Sequence, residues 1–286
     1  MSISIGFISM KLSLHTLIFL MLFTYSLAST AKDTVLWRVT DWPPFYILNG
    51  EDKGTGLYDK MIAMLSAAMP EYRHETQQMN TLRWTHEMEK GTKICHPSVL
   101  PNTKAILSVT NSILLPHRLI VHQDSIDIRK FEQPISLDKL LGNRKYKGGV
   151  TLRYTAELNE VVEKHLLNKH LYNSPNYKNL ISLVLQGKLD YIIEYDPVIS
   201  YSAKLQGINN STINLELLET KSRPFVLVHV ACPNTDWGRT VISKVNEILI
   251  AESKEPDFLN FRVNWYNKNT QKLLEGYYKE HYFSDK

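Results

Sequence analysis

A six-residue run, Asp41-Trp42-Pro43-Pro44-Phe45-Tyr46, constrains this chain more than any other feature. It follows a strand-like stretch from Thr34 to Thr40 and precedes Gly54-Thr55-Gly56. Beyond the glycines, Leu57, Met61, Met64, Leu65 and Ala68 recur at helical spacing, so the expected order is strand, stiff Pro-Pro loop, glycine hinge, helix. An acid and three aromatics then stand at the carboxyl end of the first strand of an α/β unit, the place where such sheets hold small ligands.

Ahead of this unit, residues 1–28 read as a signal peptide. Lys11 is the only charge, Leu12 to Leu27 is largely apolar, and Ser26-Leu27-Ala28 offers a small-residue cleavage site, with Ser29-Thr30-Ala31 as the second choice. The apolar stretch is shorter than the ~20 residues a spanning helix needs, and no cysteine follows it for lipid attachment. The expected mature protein is a soluble periplasmic chain of 286 − 28 = 258 residues, room for two lobes. Its charge, 32 basic against 29 acidic residues once Lys11 is removed, is too mild to argue for a nucleic-acid partner.

Cys95 and Cys232 are the only cysteines. In an oxidising compartment a lone pair without a Cys-x-x-Cys motif reads as a structural bridge, which would restrict the unfolded chain by roughly 4 to 5 kcal/mol in the loop-entropy model.

One plan occurs twice along the chain. Asn80 caps an expected helix that stops at Gly91 before a strand at Lys93-Ile94-Cys95; Ser174, with Pro175 at the first helical position, opens another that stops at Gly187 before the strand Leu189 to Glu194. A strand and helix precede each copy, Val35 to Val39 with Leu57 to Met69, and Gly148 to Leu152 with Thr155 to Leu167. Two such copies predict two α/β lobes with mainly parallel sheets. The chain is expected to cross between them near Leu119–Val121 and near Lys221–Pro224, giving 29–122 with 225–286 as lobe 1 and 123–224 as lobe 2. Thr235 to Ile250 is an expected capped amphipathic helix, and Leu273, Leu274, Tyr277 and Tyr278 are expected buried positions of a last one.

With these segments in place, the chain resembles the bacterial extracellular solute-binding proteins of family 3. The resemblance is carried by Asp41-Trp42-Pro43-Pro44-Phe45, the helix start Gly54-x-Gly56-x-x-Asp59, Glu71 to His74, Gly91 to Pro97, Gly187 to Tyr195, and Ala231-Cys232-Pro233-Asn234-Thr235 with Trp237-Gly238. It implies a two-lobed periplasmic-binding-protein fold of type II with two crossover strands, a ligand caught as the lobes close, and neighbouring Cys95 and Cys232 strands in the first lobe. It also implies a membrane partner, an ABC permease or a signalling receptor.

The chain departs from that family at the ligand. Members that bind amino acids carry an arginine for the α-carboxylate, whereas Asn102 to Ser112 holds none and Lys104 is the nearest cation. Tyr195 falls where the aspartate for the α-amine is usual, so a standard amino acid is not the expected ligand.

The candidate ligand-binding residues are Asp41 and Trp42 for hydrogen bonding and stacking, Arg83 and Arg153 as anion partners, Tyr154 and Thr155 at a helix start, Thr110 and Ser112 at a strand end, and Glu194 and Tyr195 at another. Phe45 and Tyr46 are expected in the core. His117 with His122 and His165 with His170 are five apart, poor spacing for metal ligands on one helical face, and neither a cofactor nor a metal is expected. The expected function is solute capture by a monomer. The alternative is a dehydratase-like enzyme on the same fold, with Glu194, His96 or Asp41 moving the proton.

Overall fold

The computed structural model describes residues 32–101, 104–209 and 211–283. The expected signal peptide lies outside the described residues. Two five-stranded sheets organise the chain. The first holds β1 (Thr34–Val39), β2 (Arg73–Gln78), β3 (Ile94–Val99), β4 (Ile106–Leu114) and β10 (Val226–Cys232) in the order β2-β1-β3-β10-β4. The second holds β5 (Arg118–His122), β6 (Gly148–Val150), β7 (Leu171–Asn173), β8 (Tyr191–Glu194) and β9 (Thr212–Leu215) in the order β7-β6-β8-β5-β9.

Each sheet is mainly parallel, as expected, four of its five strands running one way and the strand that arrives from the other lobe running against them. β2, β1 and β3 run parallel, as do β7, β6 and β8, but β10 and β5 enter antiparallel to β3 and β8. The cause is the crossing itself: a strand arriving from the other lobe comes from the ligand end of the sheet and must run backwards down it. The first crossing, Leu115-Pro116-His117, joins β4 to β5. β5 is thus paired in the second sheet, against β8 and β9.

Helices cover both sheets. α1 (Leu57–Ala68) buries Leu57, Tyr58, Met61, Ile62 and Leu65 against the first, and α2 (Thr81–Glu89), capped by the Asn80 side chain as expected, buries none of its residues. The second sheet carries α3 (Leu137–Gly142), α4 (Ala156–Glu163), α5 (Tyr177–Leu185) and α6 (Asp196–Gln206). α5 starts two residues later than Ser174-Pro175 suggested. Asn176 is its cap, accepting from the Lys178 N–H, while the Ser174 hydroxyl accepts from Asn176 N–H and shapes the turn before it. α7 (Asp236–Glu252), capped by Thr235, returns to the first lobe with Val241, Ile242, Val245 and Leu249 buried. α8 (Asn260–Val263) and α9 (Lys268–Tyr278) follow; α9 buries Leu274 and Tyr278, but Leu273 is exposed and Tyr277 only half-buried against Phe225.

Cys95 and Cys232 are joined across adjacent strands β3 and β10, with Cα atoms 4.4 Å apart. In β6 the two glycines are forced by packing: a side chain at Gly148 would collide with the Tyr191 ring, and a Cβ at Gly149 would lie 2.7 Å from Leu189. β6 therefore lies close on β8, which brings the loop after β6 beside Glu194. Among the described residues no helix is long and apolar enough to cross a membrane.

Candidate functional site between the lobes

The loop after β1 is fixed from below by one carboxylate. Asp59, in the first turn of α1, accepts from Ile47 N–H at 2.7 Å and from Gly56 N–H at 3.2 Å, so the Pro-Pro loop is pinned to the helix that follows it. Gly56 is needed there because a Cβ would sit 2.7 Å from the Phe45 carbonyl. The loop buries Phe45 and Tyr46, as expected, and leaves Trp42 half-buried at the lobe edge.

Trp42 meets the other lobe directly. Its ring lies 4.3 Å from Phe45 and 5.7 Å from Tyr195, and Phe45 also packs edge-on against Tyr195 at 5.7 Å. A continuous apolar cluster thus runs from the first lobe into Tyr195, Val198 and Leu180 of the second. Two ion pairs reinforce the closure, Asp41 with Lys178 at 2.5 Å and Asp52 with Lys204 at 3.4 Å, and Tyr177 donates its hydroxyl to the Asp41 carbonyl at 3.1 Å. Beside these pairs lies an interlobe cavity of about 590 Å³ lined by Asp41, Pro43, Asp52, Lys178, Tyr201 and Lys204 among others.

From the second lobe comes a charged pair. Arg153 projects from the loop after β6, stacks on the Tyr177 ring at 4.0 Å, lies 5.9 Å from Trp42, and donates to the Glu194 carboxylate. Glu194 is 2 % exposed, and its other oxygen accepts from Tyr195 N–H at 3.0 Å. Burial pushes its carboxyl above the usual range, and the Arg153 charge opposes that shift. Tyr154 and Asn159 stiffen the Arg153 loop: Tyr154 N–H donates to the Asn159 side chain, which donates back to the Tyr154 carbonyl. Thr155 caps α4 without a side-chain hydrogen bond.

His117, on the first crossing, completes the group. Its ring lies 3.9 Å from Tyr195 and 5.2 Å from Tyr154, and burial, with the Arg153 charge behind it, lowers its pKa to about 3. It is therefore a neutral imidazole at ordinary pH. Three polar atoms in this cluster are buried without a partner: Trp42 Nε1, Arg153 Nε and His117 Nδ1.

Asp41, Trp42, Arg153, Tyr154, Glu194 and Tyr195 are thus brought together, with Thr155 next to them. The other candidates lie elsewhere. Arg83 is exposed on α2; Thr110 hydrogen-bonds His281; Ser112 is fully buried and bonded to Asn111, 3.2 Å from the Tyr58 hydroxyl, all within the first lobe. Lys104 lines a different cavity, about 670 Å³ on the flank of the first lobe, with Trp84, Met88 and Pro233. That cavity is larger, but it lacks the convergence of charge and aromatics from two lobes that marks the cleft. Sequence reasoning missed Tyr177 and Lys178, whose signal was no more than a position at the start of α5, and weighed His117 only as a metal ligand. Among the described residues no cluster of histidine, cysteine and acid side chains is placed to hold a metal ion.

No family model matches the chain, and no curated protein matches it. Solved structures do. One is a histidine kinase sensor domain with similarity to periplasmic binding proteins, 14 % identical at TM-score 0.61, covering 82 % of this chain and 96 % of that one. Another is an ancestral amino-acid-binding protein described as a precursor of cyclohexadienyl dehydratase, 16 % identical at TM-score 0.59, covering 82 % and 95 %. A third is the substrate-binding protein of an amino acid ABC transporter, 16 % identical at TM-score 0.58, covering 82 % and 99 %. The chain has the two-lobed periplasmic-binding-protein fold. At these identities the likeness is one of fold, and the ligands of those proteins remain theirs.

Proposed function

We propose that this is an exported solute-binding protein of the family 3 kind, a monomer that captures a small polar solute between its lobes and presents the closed form to a membrane partner. The carrying observation is the convergence on one spot of Trp42 from the first lobe, Arg153, Glu194 and Tyr195 from the second, and His117 from the crossing between them. A solute held there touches both lobes and the hinge at once, which is how binding is coupled to closure. The lobes are proposed as residues 32–114 with 225–283 and residues 118–220, joined by the segments 115–117 and 221–224. An ABC permease and a sensor kinase are both compatible partners, in keeping with the two kinds of structural neighbour.

A thermal-shift screen of metabolites, followed by calorimetry on the hits, tests the reading. At least one small polar solute is expected to bind saturably and to bind at least tenfold more weakly to Trp42→Ala. A broad panel without a saturable hit would overturn it.

The enzyme reading is favoured by one observation, the raised pKa of the buried Glu194 carboxyl, a group suited to hold a proton in a closing cleft. Turnover of a bound solute, lost in Glu194→Gln with binding retained, would establish it. Its weakness is that Arg153 already pairs with that carboxylate, favouring the charged form.

A further inference from the structure

The polar atoms of the cleft are not balanced between donors and acceptors. Trp42 Nε1–H and Arg153 Nε–H can only donate, and both are buried without a partner. His117 Nδ1 is also without a partner, on a side chain 3 % exposed, and it donates in one of the two neutral tautomers. The two acids that reach the group are both engaged. Glu194 takes Arg153 and the Tyr195 N–H, and Asp41 takes Lys178 and stands at the mouth of the cleft. A ligand ammonium would have to displace a protein cation from one of them, whereas a ligand carboxylate finds donors already waiting.

The walls restrict shape as well. The Arg153 guanidinium carbon lies over the Tyr177 ring at 4.0 Å and 5.9 Å from the Trp42 ring, and Tyr195 packs against both Trp42 and Phe45. When the lobes part, these rings offer faces to a flat group, which stacks on them and on the guanidinium plane at little conformational cost.

We infer that the cleft takes a planar carboxylate without an ammonium group, an aromatic or conjugated acid, and that His117 of the first crossing is one of its hydrogen-bond contacts. This rests on the reading of the cleft as a solute site and narrows it to a chemical class. Arg153 keeps one Nη on Glu194 and turns its Nε–H to the acid, Trp42 Nε1–H takes a second oxygen, and Tyr177 and Tyr195 bracket the ring. Glu194 then acts as a positioning residue that holds the guanidinium plane and balances its charge.

Calorimetry on the mature protein at pH 7 tests it with benzoate, 4-hydroxybenzoate and nicotinate as planar acids. Benzamide serves as the uncharged control, cyclohexanecarboxylate as the non-planar one, and phenylalanine, tyrosine and arginine as zwitterions. At least one planar acid is expected to bind with saturation, and to bind at least tenfold more tightly than benzamide, cyclohexanecarboxylate or any of the amino acids. Trp42→Phe, which keeps a ring but removes the Nε1 donor, and His117→Phe, which keeps the packing but removes the ring nitrogens, are each expected to weaken that acid at least fivefold while far-UV circular dichroism and the melting temperature stay those of a folded chain. Tighter binding of an amino acid, weakened by Trp42→Phe, would overturn the inference and leave the solute-binding reading standing. No binding by any member of the panel would overturn the inference; the wider screen above decides the reading separately. Unchanged affinity of the planar acid for a folded His117→Phe would remove His117 from the contacts.

Discussion

Arg38 and Arg153 both project from the sheet region of a lobe into surroundings where a cation is costly, and they are handled in opposite ways. Arg38, 6 % exposed on β1, spends its donors on neutral acceptors of its own lobe: Nε to the Met79 carbonyl at 3.1 Å, Nη1 to His96 Nε2 at 2.8 Å and Nη2 to the Thr81 hydroxyl, with Trp84 at 5.4 Å from its guanidinium. His96 accepts because burial, then the Arg38 charge, holds its pKa well below the usual value. Arg153 has a carboxylate, two aromatic faces from different lobes, and a buried Nε with nothing to donate to. In the first arrangement all three guanidinium nitrogens have partners and those partners belong to one lobe, which is what a structural network looks like. The second is incomplete and depends on both lobes, which is what a binding site looks like before its ligand is counted.

The largest effect should come from the frame around Arg38. Breaking Cys95–Cys232, which closes a separation of 137 residues, releases about 5 kcal/mol in the loop-entropy model, near the upper end of measured disulfides. Urea unfolding of the Cys95→Ala, Cys232→Ala double variant is expected to show a loss of at least ~2 kcal/mol. A loss below ~0.5 kcal/mol would mean that the first lobe does not depend on its bridge.

Next comes the comparison itself. Arg38→Met leaves the Met79 carbonyl without its donor and takes from His96 its shortest partner, with the Ser98 and Tyr46 hydroxyls remaining at 3.3 and 3.5 Å, and should cost about 2 to 4 kcal/mol. The paired substitution Arg153→Met with Glu194→Gln removes both charges together, so it leaves no orphaned ion and should change stability by less than about 1 kcal/mol. Equal costs would erase the distinction drawn between the two sites.

A third test uses pH. A histidine whose folded pKa is depressed binds protons only in the unfolded chain over the window between the two values, so stability is full above the ordinary pKa near 6.5 and falls as pH drops from there toward about 3 for His117. The slope for that residue is about 1.4 kcal/mol per pH unit, and His96 adds loss of the same sign. Glu194, with a raised carboxyl pKa, works the other way: its folded state takes up the proton first, so acid relieves a cost there. Denaturant midpoints from pH 7 to pH 5 are expected to fall, and to fall less in His117→Phe. A flat profile would contradict the neutral, buried imidazole.

How far the sequence carried depends on whether a residue's partners are local. The Pro-Pro loop and the Asp59 helix start were legible because stiffness, glycine and capping act over a few residues. Arg153 was legible because it precedes a helix start. Tyr177 and His117 were not, because what makes them candidates for the site is contact with Asp41, 136 positions from Tyr177, and of His117 with Tyr195. Arg38 was missed for a related reason: a charged residue inside a strand reads as solvent-facing, but β1 sits between β2 and β3 with Trp37, Arg38 and Val39 all buried.

The smallest effect is expected at the latch. Lys178 and Lys204 are roughly half to two-thirds exposed, so Lys178→Ala or Lys204→Ala should cost under ~1 kcal/mol in stability. Small-angle scattering is nevertheless expected to report a larger radius of gyration as the lobes part, and an unchanged radius would show that the aromatic contacts alone hold them.

One measurement bears on the solute-binding reading most directly: the melting-temperature response to a common metabolite panel of three proteins, the natural chain, Arg38→Met, and Arg153→Met with Glu194→Gln. The account predicts a saturable stabilising solute for the natural chain, the same response on a lower baseline for Arg38→Met, and none for the double variant despite its near-natural stability. A double variant that responds as the natural chain does would contradict it.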